Sequence, residues 1–479
     1  MIHCTIPSFQ ALSDRRDPYQ KYNVFDIHVN GAYHCSVRYS ALFYLHEKLV
    51  DTFGFRLNAA EFPPKKVWRS LDNKATNERR EALAKYFQAV LQNPDISKHT
   101  MLEKAFLDFQ VSSFSLLQNR LDSSSSNSMV KLEIFLPDGR PTIVDCYVDD
   151  PTSAVMQKAC DAIGMNIRYI NCFGLFLGRP RNMDESNGSV SDILFDQICI
   201  RWLKNFESPY ISQQLSNRNS DETGICHKLL VRRVTWDPSV EEPLLDDAGC
   251  VKVLFLQALN DIQRGILKIS SDTKEKLSYL QEQGDFKQFI RLCHLQPSYG
   301  YELLAPVISD FPQDYTHCQL KVGRRQIVLE HQENEMIVQS ILRSTRIRVW
   351  RVSQNNNGSP GDPEMSFQIE YLAGKNEFGT ITLQTSQAVI LSLFLQSIAA
   401  EILQDHPSPT YKFDDSVSTK AIEGLEICKA NSVIGDNLSI NDQTISVENG
   451  NSSDDLFKII SYQMPFDNES FEDITDTDL

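Results

Sequence analysis

Four side chains near the start of the chain suit a ring-shaped ligand with several negative charges. They are the guanidinium groups of Arg38 and Arg79, the aromatic ring of Tyr39, and the ammonium group of Lys65, which follows Pro63 and Pro64. A phosphorylated inositol ring needs a bidentate guanidinium for a phosphate, an aromatic face against the ring and further cations around its rim. The sequence therefore predicts a phosphoinositide site, and with it a protein that works at a membrane surface.

Two neighbouring arginines compete for the last of these positions. One helical turn cannot direct both Arg79 and Arg80 at the same ligand. We assign the position to Arg79, on the interpretation that Leu83 and Tyr86, four and seven residues further on, turn Arg79 away from the core. Ser40, which directly follows Tyr39, completes the candidate lipid-binding set.

Length and charge distribution narrow the class of protein. A chain of 479 residues is too long for one core and is expected to hold two to four domains. The net charge is −16, but residues 1–110 carry 15 basic and 12 acidic side chains, whereas residues 406–479 carry 4 basic and 15 acidic ones. A basic N-terminal region on an acidic chain indicates that this region alone binds an anionic surface. The few cations elsewhere make nucleic acid a poor ligand.

The cysteines and the apolar segments indicate the compartment. Eleven cysteines are scattered without CxxC or Cys/His ligand spacing, which predicts neither a metal site nor a disulfide framework and is typical of the reducing cytosol. Residues 1–7 lack the features of a signal peptide. The longest apolar stretch, 388–403, is interrupted by Gln396 and Glu401 and falls short of a membrane span. We expect a cytoplasmic protein that binds membranes peripherally, without a cofactor.

Residues 1–110 are predicted to form a small antiparallel sheet followed by three helices. Phe25, Ile27 and Val29 alternate with polar residues, and Asn30-Gly31 predicts a type I′ turn into a second strand that ends near residue 39. Apolar residues at helical spacing predict helices over about 40–53, 83–91 and 102–109. The segment 111–128, rich in serine at its end, is predicted to be a linker.

The remaining sequence predicts three further modules and a tail, which together give a multidomain α+β protein. Strands at 130–136 and 142–148, a helix at 151–163, and strands at 173–177 and 228–234 follow the order of a ubiquitin-like fold over 129–240. Residues 245–313 are predicted to be helical, with helices at 251–262, 273–283, 286–295 and 302–308. Residues 316–405 are predicted to form strands and a closing helix at 387–403, and 406–479 an acidic, disordered tail.

These residues resemble a known combination of domains. Arg38-Tyr39-Ser40, Pro63-Pro64-Lys65 and Arg79 are similar to the signature of a PX domain, and the three modules over 129–405 resemble the lobes of a FERM domain. A PX domain followed by a FERM-like unit resembles the endosomal sorting nexins of the sorting nexin-17 group. The likeness covers roughly residues 1–405 and recurs at 471–479.

The resemblance implies a ligand and a role for each residue of the first site. The PX domain is expected to bind phosphatidylinositol 3-phosphate on early endosomes. Arg38 would take the 3-phosphate, Tyr39 would pack on the inositol ring, Lys65 would meet the 1-phosphate and Arg79 the ring hydroxyls.

The third FERM-like lobe provides the second candidate site. It is similar to a phosphotyrosine-binding domain, in which a peptide adds as an extra strand between the fifth strand and the terminal helix. The resemblance implies cytoplasmic tails of transmembrane cargo that contain Asn-Pro-x-Tyr or Asn-x-x-Tyr. Trp350 is the expected anchor, and the alternative is that Trp350 is a core residue. The candidate contact residues are Val349, Trp350 and Val352 on the strand, and Ala399 and Leu403 on the helix.

The acidic tail ends in a third candidate site. Phe471, Ile474, Asp478 and Leu479 offer a few apolar side chains, an acidic run and a free carboxylate. The resemblance implies that this segment recruits the Retriever complex, which returns cargo to the plasma membrane and so protects it from lysosomal degradation. A PDZ ligand and an inert solubilising tail remain as alternatives.

An enzymatic role is disfavoured. A phospholipase-type His-x-Lys-x4-Asp site would begin at His46 and Lys48, but Phe53 stands where the aspartate is needed. Phosphate-loop, nucleophile-elbow and zinc-protease motifs do not occur. The alternative function is a membrane–cytoskeleton linker of the FERM type. Such a linker is expected to carry a basic actin-binding tail, whereas this tail is acidic.

Overall fold

The computed structural model of the protein forms one sheet-and-helix domain followed by three packed lobes, which confirms the expected multidomain α+β architecture. The structure describes residues 2–13, 19, 21–57, 61–65, 73–118, 128–180, 197–219, 226–333, 336–354, 365–374, 377–405 and 460–463.

The first domain is a three-stranded antiparallel sheet covered by helices. The strands pair in the order β1-β2-β3, and Asn30 and Gly31 adopt positive φ angles of 50° and 81° in the turn between β2 and β3, as predicted. The prediction missed β1, which pairs with β2 along most of its length. The elements are β1 (Cys4–Ser13), β2 (Lys21–Val29), β3 (Ala32–Arg38), α1 (Tyr39–Phe53), α2 (Asn73–Gln92), α3 (Pro94–Ser97) and α4 (Thr100–Gln118).

The expected linker at 111–128 is wrong in its first half. Helix α4 continues to Gln118, because its apolar side chains find a partner beyond the first domain. Phe114 is 2% exposed and packs in one cluster with Val148, Ile211 and Leu215 of the next lobe. The first domain is therefore docked on the following lobe by the helix that the sequence pattern assigned to a flexible connection.

The second unit has the predicted ubiquitin-like fold. Its five strands pair in the order β5-β4-β8-β6-β7, and β4 runs parallel to β8 as in that fold. The strand β7 and the helix α6 were not predicted. The elements are β4 (Met129–Phe135), β5 (Pro141–Tyr147), α5 (Thr152–Ile163), β6 (Phe173–Pro180), β7 (Gln197–Trp202), α6 (Pro209–Asn219) and β8 (Lys228–Arg233).

The helical lobe is shorter than predicted. Its helices are α7 (Pro238–Glu241), α8 (Ala248–Gln263), α9 (Ser271–Glu282) and α10 (Phe286–His294). The predicted helix at 302–308 is wrong, since that segment forms β9 (Tyr301–Leu303) and β10 (Val307–Ser309). Both strands pair with the first long strand of the third lobe, and Pro306 lies between them. The boundary between the two lobes therefore lies near residue 300 rather than at 313–316.

The third lobe is a bent antiparallel sheet closed by a long helix. Its strands follow the path β13-β12-β11-β10-β16-β15-β14-β17, with β9 paired to β11. The helix α11 lies against this sheet and is almost fully buried between Ala388 and Ile402. The elements are β11 (Thr316–Gly323), β12 (Gln326–Glu333), β13 (Met336–Arg343), β14 (Ile347–Gln354), β15 (Met365–Gly374), β16 (Glu377–Gln384), α11 (Ala388–Asp405) and β17 (Ile460–Gln463).

A buried polar network joins the first domain to the ubiquitin-like lobe. The side-chain amide of Gln110 on α4 donates to the Ser212 hydroxyl at 3.0 Å and accepts from the backbone N–H of Ser208 at 2.7 Å. Ser212 in turn donates to Glu207, which forms an ion pair with Arg201 at 2.5 Å. Such a network is stabilising when its members are paired, as Gln110, Ser208, Ser212 and Glu207 are here, so it favours one position of the first domain on this lobe.

Two buried histidines of the first domain make the folded chain sensitive to acid. His3 and His34 lie in the first domain, and burial lowers the pKa of each from 6.5 to about 3. The chain terminus opposes protonation of His3, and Arg201 opposes that of His34. Because the folded-state pKa is the lower one, the unfolded chain binds more protons below about pH 6.5. The free energy of unfolding therefore falls as the pH decreases, by roughly 2 kcal/mol per histidine between pH 7 and pH 5.

Urea unfolding at pH 7 and at pH 5 measures this loss. A His34→Phe variant is expected to lose less stability than the wild-type chain over the same pH interval, since it has one buried histidine fewer. An equal loss in both proteins would contradict the assignment for His34.

Candidate functional site: a cation cluster and a strand edge

Arg38 ends β3 at the rim of the first domain, where its side chain is exposed. Its guanidinium carbon lies 3.2 Å from the centre of the Tyr22 ring. Stacking on an aromatic face restricts a guanidinium without using up its N–H donors. Tyr22 therefore limits the positions of the group that the sequence analysis assigned to the phosphate.

Tyr39 begins α1 and links the remaining parts of the cluster. Its hydroxyl donates to the carbonyl oxygen of Pro63 at 2.7 Å, which ties the proline loop to the start of the helix. The ring of Phe62 lies beside it, with centroids 5.8 Å apart, and stacks on His46 at 4.4 Å. Partial burial raises the pKa of Tyr39, so its hydroxyl remains a neutral donor. Lys65 is exposed two residues after the anchored Pro63.

The two competing arginines have different surroundings. Arg79 lies over the Tyr39 ring, with its guanidinium carbon 4.6 Å from the ring centre, and its buried Nη2 has no hydrogen-bond partner. Arg80 instead donates to the backbone oxygen of Ile6 at 2.7 Å and pairs with Glu81 at 3.0 Å. An unpartnered N–H next to the aromatic ring suits a ligand, whereas Arg80 is used in holding β1.

The predicted orientation of Arg79, away from the core face of α2, is wrong, although the position of its side chain fits the proposed role. Residues four and seven positions apart share one face of a helix. Arg79 therefore lies on the same side of α2 as the buried Leu83 and Tyr86, and at the outer end of that face it reaches the Tyr39 ring. Half-burial of Arg79 follows from this position.

The second site is the edge of β14. On one side β14 pairs with β15, and on the other it pairs antiparallel with β17, the segment Ile460–Gln463 of the acidic tail. Trp350 is opposite Tyr462, and Arg351 is opposite Ser461. The edge predicted to accept an extended peptide is thus paired here with an extended segment of the same chain. The expected disordered tail consequently contains at least one short strand.

Trp350 is placed in the interior of the third lobe. It is 1% exposed, and its indole N–H donates to the Ser392 hydroxyl of α11 at 2.9 Å. This is the alternative that the sequence analysis left open, and the ring does not form an exposed anchor while β17 is in place. Whether the ring also contacts an added peptide stays a prediction.

The other candidate residues of this site divide into inward-facing and edge positions. Val352 and Ala399 are buried, with 5% and 1% exposure. Val349 and Leu403 are half-buried at the margin of the strand and of the helix. Val349 and Leu403 are therefore better placed than Ala399 to meet an incoming side chain.

Phe471, Ile474, Asp478 and Leu479 lie outside the described residues. No helix of the described chain is long and apolar enough to cross a membrane. Within the same residues no group of three or more His, Cys, Asp or Glu side chains is arranged to hold a metal ion.

Sequence reasoning missed two participants. Tyr22 stacks on Arg38, and its place in β2 carries no signal that would distinguish it from any other strand residue. The strand β17 was missed because four residues in a polar, acidic tail do not form a recognisable strand pattern. The alternation of Ile460 and Tyr462 with polar residues is a weak signal in hindsight.

Family models match each unit of the fold. The PX domain model matches residues 25–110, and the sorting nexin 17/27/31 FERM F1 lobe matches 130–236. The sorting nexin 17/31 FERM F2 lobe matches 237–295, and the sorting nexin 17 FERM C-terminal domain matches 300–403. These boundaries agree with the sheet pairing that places residues 301–309 in the third lobe.

Curated relatives match most of the chain. Sorting nexin-17 of Danio rerio is 30% identical over 414 residues, which cover 84% of this chain and 81% of that protein. Human sorting nexin-17 is 28% identical over 413 residues, covering 84% and 82%. Human sorting nexin-31 is 25% identical over 410 residues, covering 84% and 86%. The chain belongs to the sorting nexin-17 group of sorting nexins, built from a PX domain and a three-lobed FERM unit.

Proposed function

We propose that this protein is an endosomal cargo adaptor. It binds phosphatidylinositol 3-phosphate through its PX domain and Asn-Pro-x-Tyr or Asn-x-x-Tyr tails of transmembrane cargo through its third FERM lobe. By binding lipid and cargo at the same time, it promotes the return of cargo to the plasma membrane and protects cargo from lysosomal degradation. The observation that carries the proposal is the pairing of β14 with an extended segment in a molecule that also displays the Arg38–Tyr39–Arg79 cluster.

The cation cluster supports a phosphorylated ring as the lipid ligand. Arg38 is exposed and held on Tyr22, Arg79 has an unused buried N–H over Tyr39, and Lys65 extends from an anchored loop. Two guanidinium groups give bidentate hydrogen bonds to phosphate or to neighbouring hydroxyls, and a lysine adds a point charge. The protein is then peripheral on the early endosome membrane.

The edge of β14 supports peptide binding by strand addition. An exposed strand edge offers a row of N–H and C=O groups that any extended chain can pair with, while side-chain pockets select its sequence. β17 already uses this edge in the antiparallel direction. A cargo peptide that pairs with β14 must therefore displace β17.

Removing this competition tests the cargo site. Ser461→Pro together with Tyr462→Pro is expected to increase the affinity for an Asn-Pro-x-Tyr peptide about tenfold, corresponding to about 1.4 kcal/mol. In an antiparallel pair, alternate residues bond to the neighbouring strand, so one of two consecutive prolines must remove an N–H that pairs with β14. Titration calorimetry with the full chain measures the change.

A matched pair of prolines provides the control. Ser452→Pro with Ser453→Pro makes the same change elsewhere in the tail and should leave the peptide affinity unaltered. If both double variants bind the peptide as the wild-type chain does, β17 and the peptide do not share an edge.

The end of the tail is proposed to recruit a partner. Phe471, Ile474, Asp478 and the terminal Leu479 combine apolar side chains with acidic ones and a carboxylate, and we assign them to Retriever on the strength of the family resemblance. A pull-down of Retriever with a peptide of residues 464–479, beside the same peptide without Leu479, tests this assignment.

A further inference from the structure

The PX domain touches the third FERM lobe directly beside the cargo strand. Nε2 of His3, which precedes β1, lies 3.2 Å from the hydroxyl oxygen of Ser392 on α11. The turn between β2 and β3 packs nearby. A Cβ built on Gly31 would lie 3.5 Å from Cε of Met365 and 3.7 Å from Cγ2 of Val389. The two domains that carry the lipid site and the cargo site are therefore in direct contact.

One oxygen atom connects this contact to Trp350. The Ser392 hydroxyl oxygen accepts hydrogen bonds from the indole N–H of Trp350 at 2.9 Å and from the side-chain amide of Gln396 at 3.2 Å. A hydroxyl has two lone pairs and one proton. Since two N–H donors occupy both lone pairs, the hydroxyl proton is left for Nε2 of His3, which must then be the neutral acceptor tautomer.

The burial of this junction indicates that it is part of the structure rather than a passing contact. His3 is 3% exposed and Ser392 is fully buried. The backbone of His3 is also fixed, because its N–H donates to Asn30 Oδ1 at 3.0 Å and its carbonyl accepts from the Asn30 N–H at 2.7 Å. Burying a polar ring costs free energy unless its hydrogen bonds are made. Nε2 of His3 has a partner in Ser392, whereas its buried Nδ1 has none among the described residues, so the contact with Ser392 favours one position of the PX domain.

The edge of β14 that β17 occupies also faces the PX domain. β17, which pairs with β14, runs beside α2 of the PX domain. α2 is the helix that carries Arg79 of the lipid site. A strand seated on β14 thus has the FERM lobe on one side and a PX helix on the other.

We propose that the cargo-peptide site is shared between two domains. The peptide adds to β14 in a cleft whose second wall is α2 of the PX domain, and His3 acts through Ser392 to hold Trp350 in place. This inference rests on the proposed function, since it takes β14 as the peptide site, and adds the PX domain as a positioning and specificity element. The lipid domain then takes part in selecting cargo.

Substitution of His3 tests the positioning role in the full chain. His3→Leu removes the hydrogen-bond acceptor but keeps an apolar side chain in its place. We expect the affinity for an Asn-Pro-x-Tyr peptide to fall about three- to tenfold, the range given by loss of one hydrogen bond. Binding to vesicles that contain phosphatidylinositol 3-phosphate should not change.

His34→Leu is the matched control. His34 is another fully buried histidine of the PX domain, but its Nε2 bonds to the backbone oxygen of Phe106 and its ring lies against Phe206 of the F1 lobe. The His34→Leu variant should leave the peptide affinity unaltered. Equal losses in both variants would reduce the effect to domain stability and overturn the proposal. Ser392→Ala also removes the acceptor of Trp350 and Gln396, so it should lose at least as much peptide affinity as His3→Leu. Adding His3→Leu to Ser392→Ala should cause no further loss, because His3 acts through that hydroxyl.

Photo-cross-linking tests the second wall of the cleft independently of stability. A cargo peptide with a photoreactive group at each position in turn is bound at saturation to the wild-type chain, and the products are mapped by mass spectrometry. Cross-links to residues 73–92 as well as to β14 are expected. Cross-links confined to the third lobe would overturn the shared site while leaving β14 as the peptide site, whereas no specific binding of the peptide would overturn the proposed function itself.

Discussion

Arg38→Ala is expected to abolish binding of the full chain to vesicles that contain phosphatidylinositol 3-phosphate. The variant removes a bidentate, charge-assisted contact and leaves the partner phosphate unpaired. Removing one partner of such a desolvated charge pair costs about 2–5 kcal/mol, or at least roughly thirtyfold in affinity. The side chain is exposed and stacks on Tyr22, so the fold should be retained. Vesicle flotation and thermal unfolding measure the two effects.

A charge-matched variant separates the site from general electrostatics. Arg140 is an exposed arginine of the F1 lobe that pairs with Asp138. Arg140→Ala should bind the same vesicles nearly as the wild-type chain does. Unchanged binding of Arg38→Ala would mean that the site is misassigned, and an equal loss in both variants would mean that only net charge is sensed.

Trp350→Ala is expected to reduce the affinity for an Asn-Pro-x-Tyr peptide by at least about 2 kcal/mol, or roughly thirtyfold, with lipid binding retained. The indole is buried, so the variant should also lose about 3–5 kcal/mol of stability. Loss of the large ring removes support beneath the strand edge that the peptide pairs with. Calorimetry with the full chain, below its unfolding temperature, measures the peptide affinity.

Trp236 supplies the control for the loss of stability. It is 2% exposed, packs on Phe394 of α11 and donates its indole N–H to Ser397 at 2.9 Å, so its surroundings resemble those of Trp350. Trp236→Ala should be destabilised to a similar extent and still bind the peptide. A loss of less than threefold for Trp350→Ala would assign Trp350 to the core alone.

Local patterns in the sequence predicted the elements whose partners lie close in the chain. The hairpin around Asn30-Gly31 follows from alternation and from two residues that accept positive φ. The helices α5, α8 and α11 follow from apolar residues at helical spacing. In each case the apolar residues that form the buried face can be recognised within about a dozen consecutive residues of the sequence.

Elements stabilised by distant partners were not predictable in this way. β9 and β10 are three residues long and exist because β11 and β16 pair with them. The end of α4 was predicted to be a linker because its burial depends on distant residues: Ile211 and Leu215 pack on Phe114. β17 is specified by the edge of β14, more than a hundred residues earlier.

The candidate sites show the same division. The residue types of the lipid site were readable because Arg38, Tyr39, Lys65 and Arg79 each bring a distinct chemistry. The stacking of Arg38 on Tyr22 and the hydrogen bond from Tyr39 to Pro63 depend on tertiary structure, so they could not be predicted from the sequence. At the cargo site, the sequence identified the strand but not the direction in which Trp350 points, because the ring's partner, Ser392, comes from α11.

Simultaneous binding of lipid and cargo defines the proposed adaptor. The most direct measurement is flotation of vesicles with and without phosphatidylinositol 3-phosphate, in the presence of the full chain and a fluorescent Asn-Pro-x-Tyr peptide. The peptide is expected to float only when the lipid and the protein are both present, and a peptide with alanine in place of the tyrosine is not expected to float. Vesicles that carry the protein but leave the peptide behind would contradict the adaptor function.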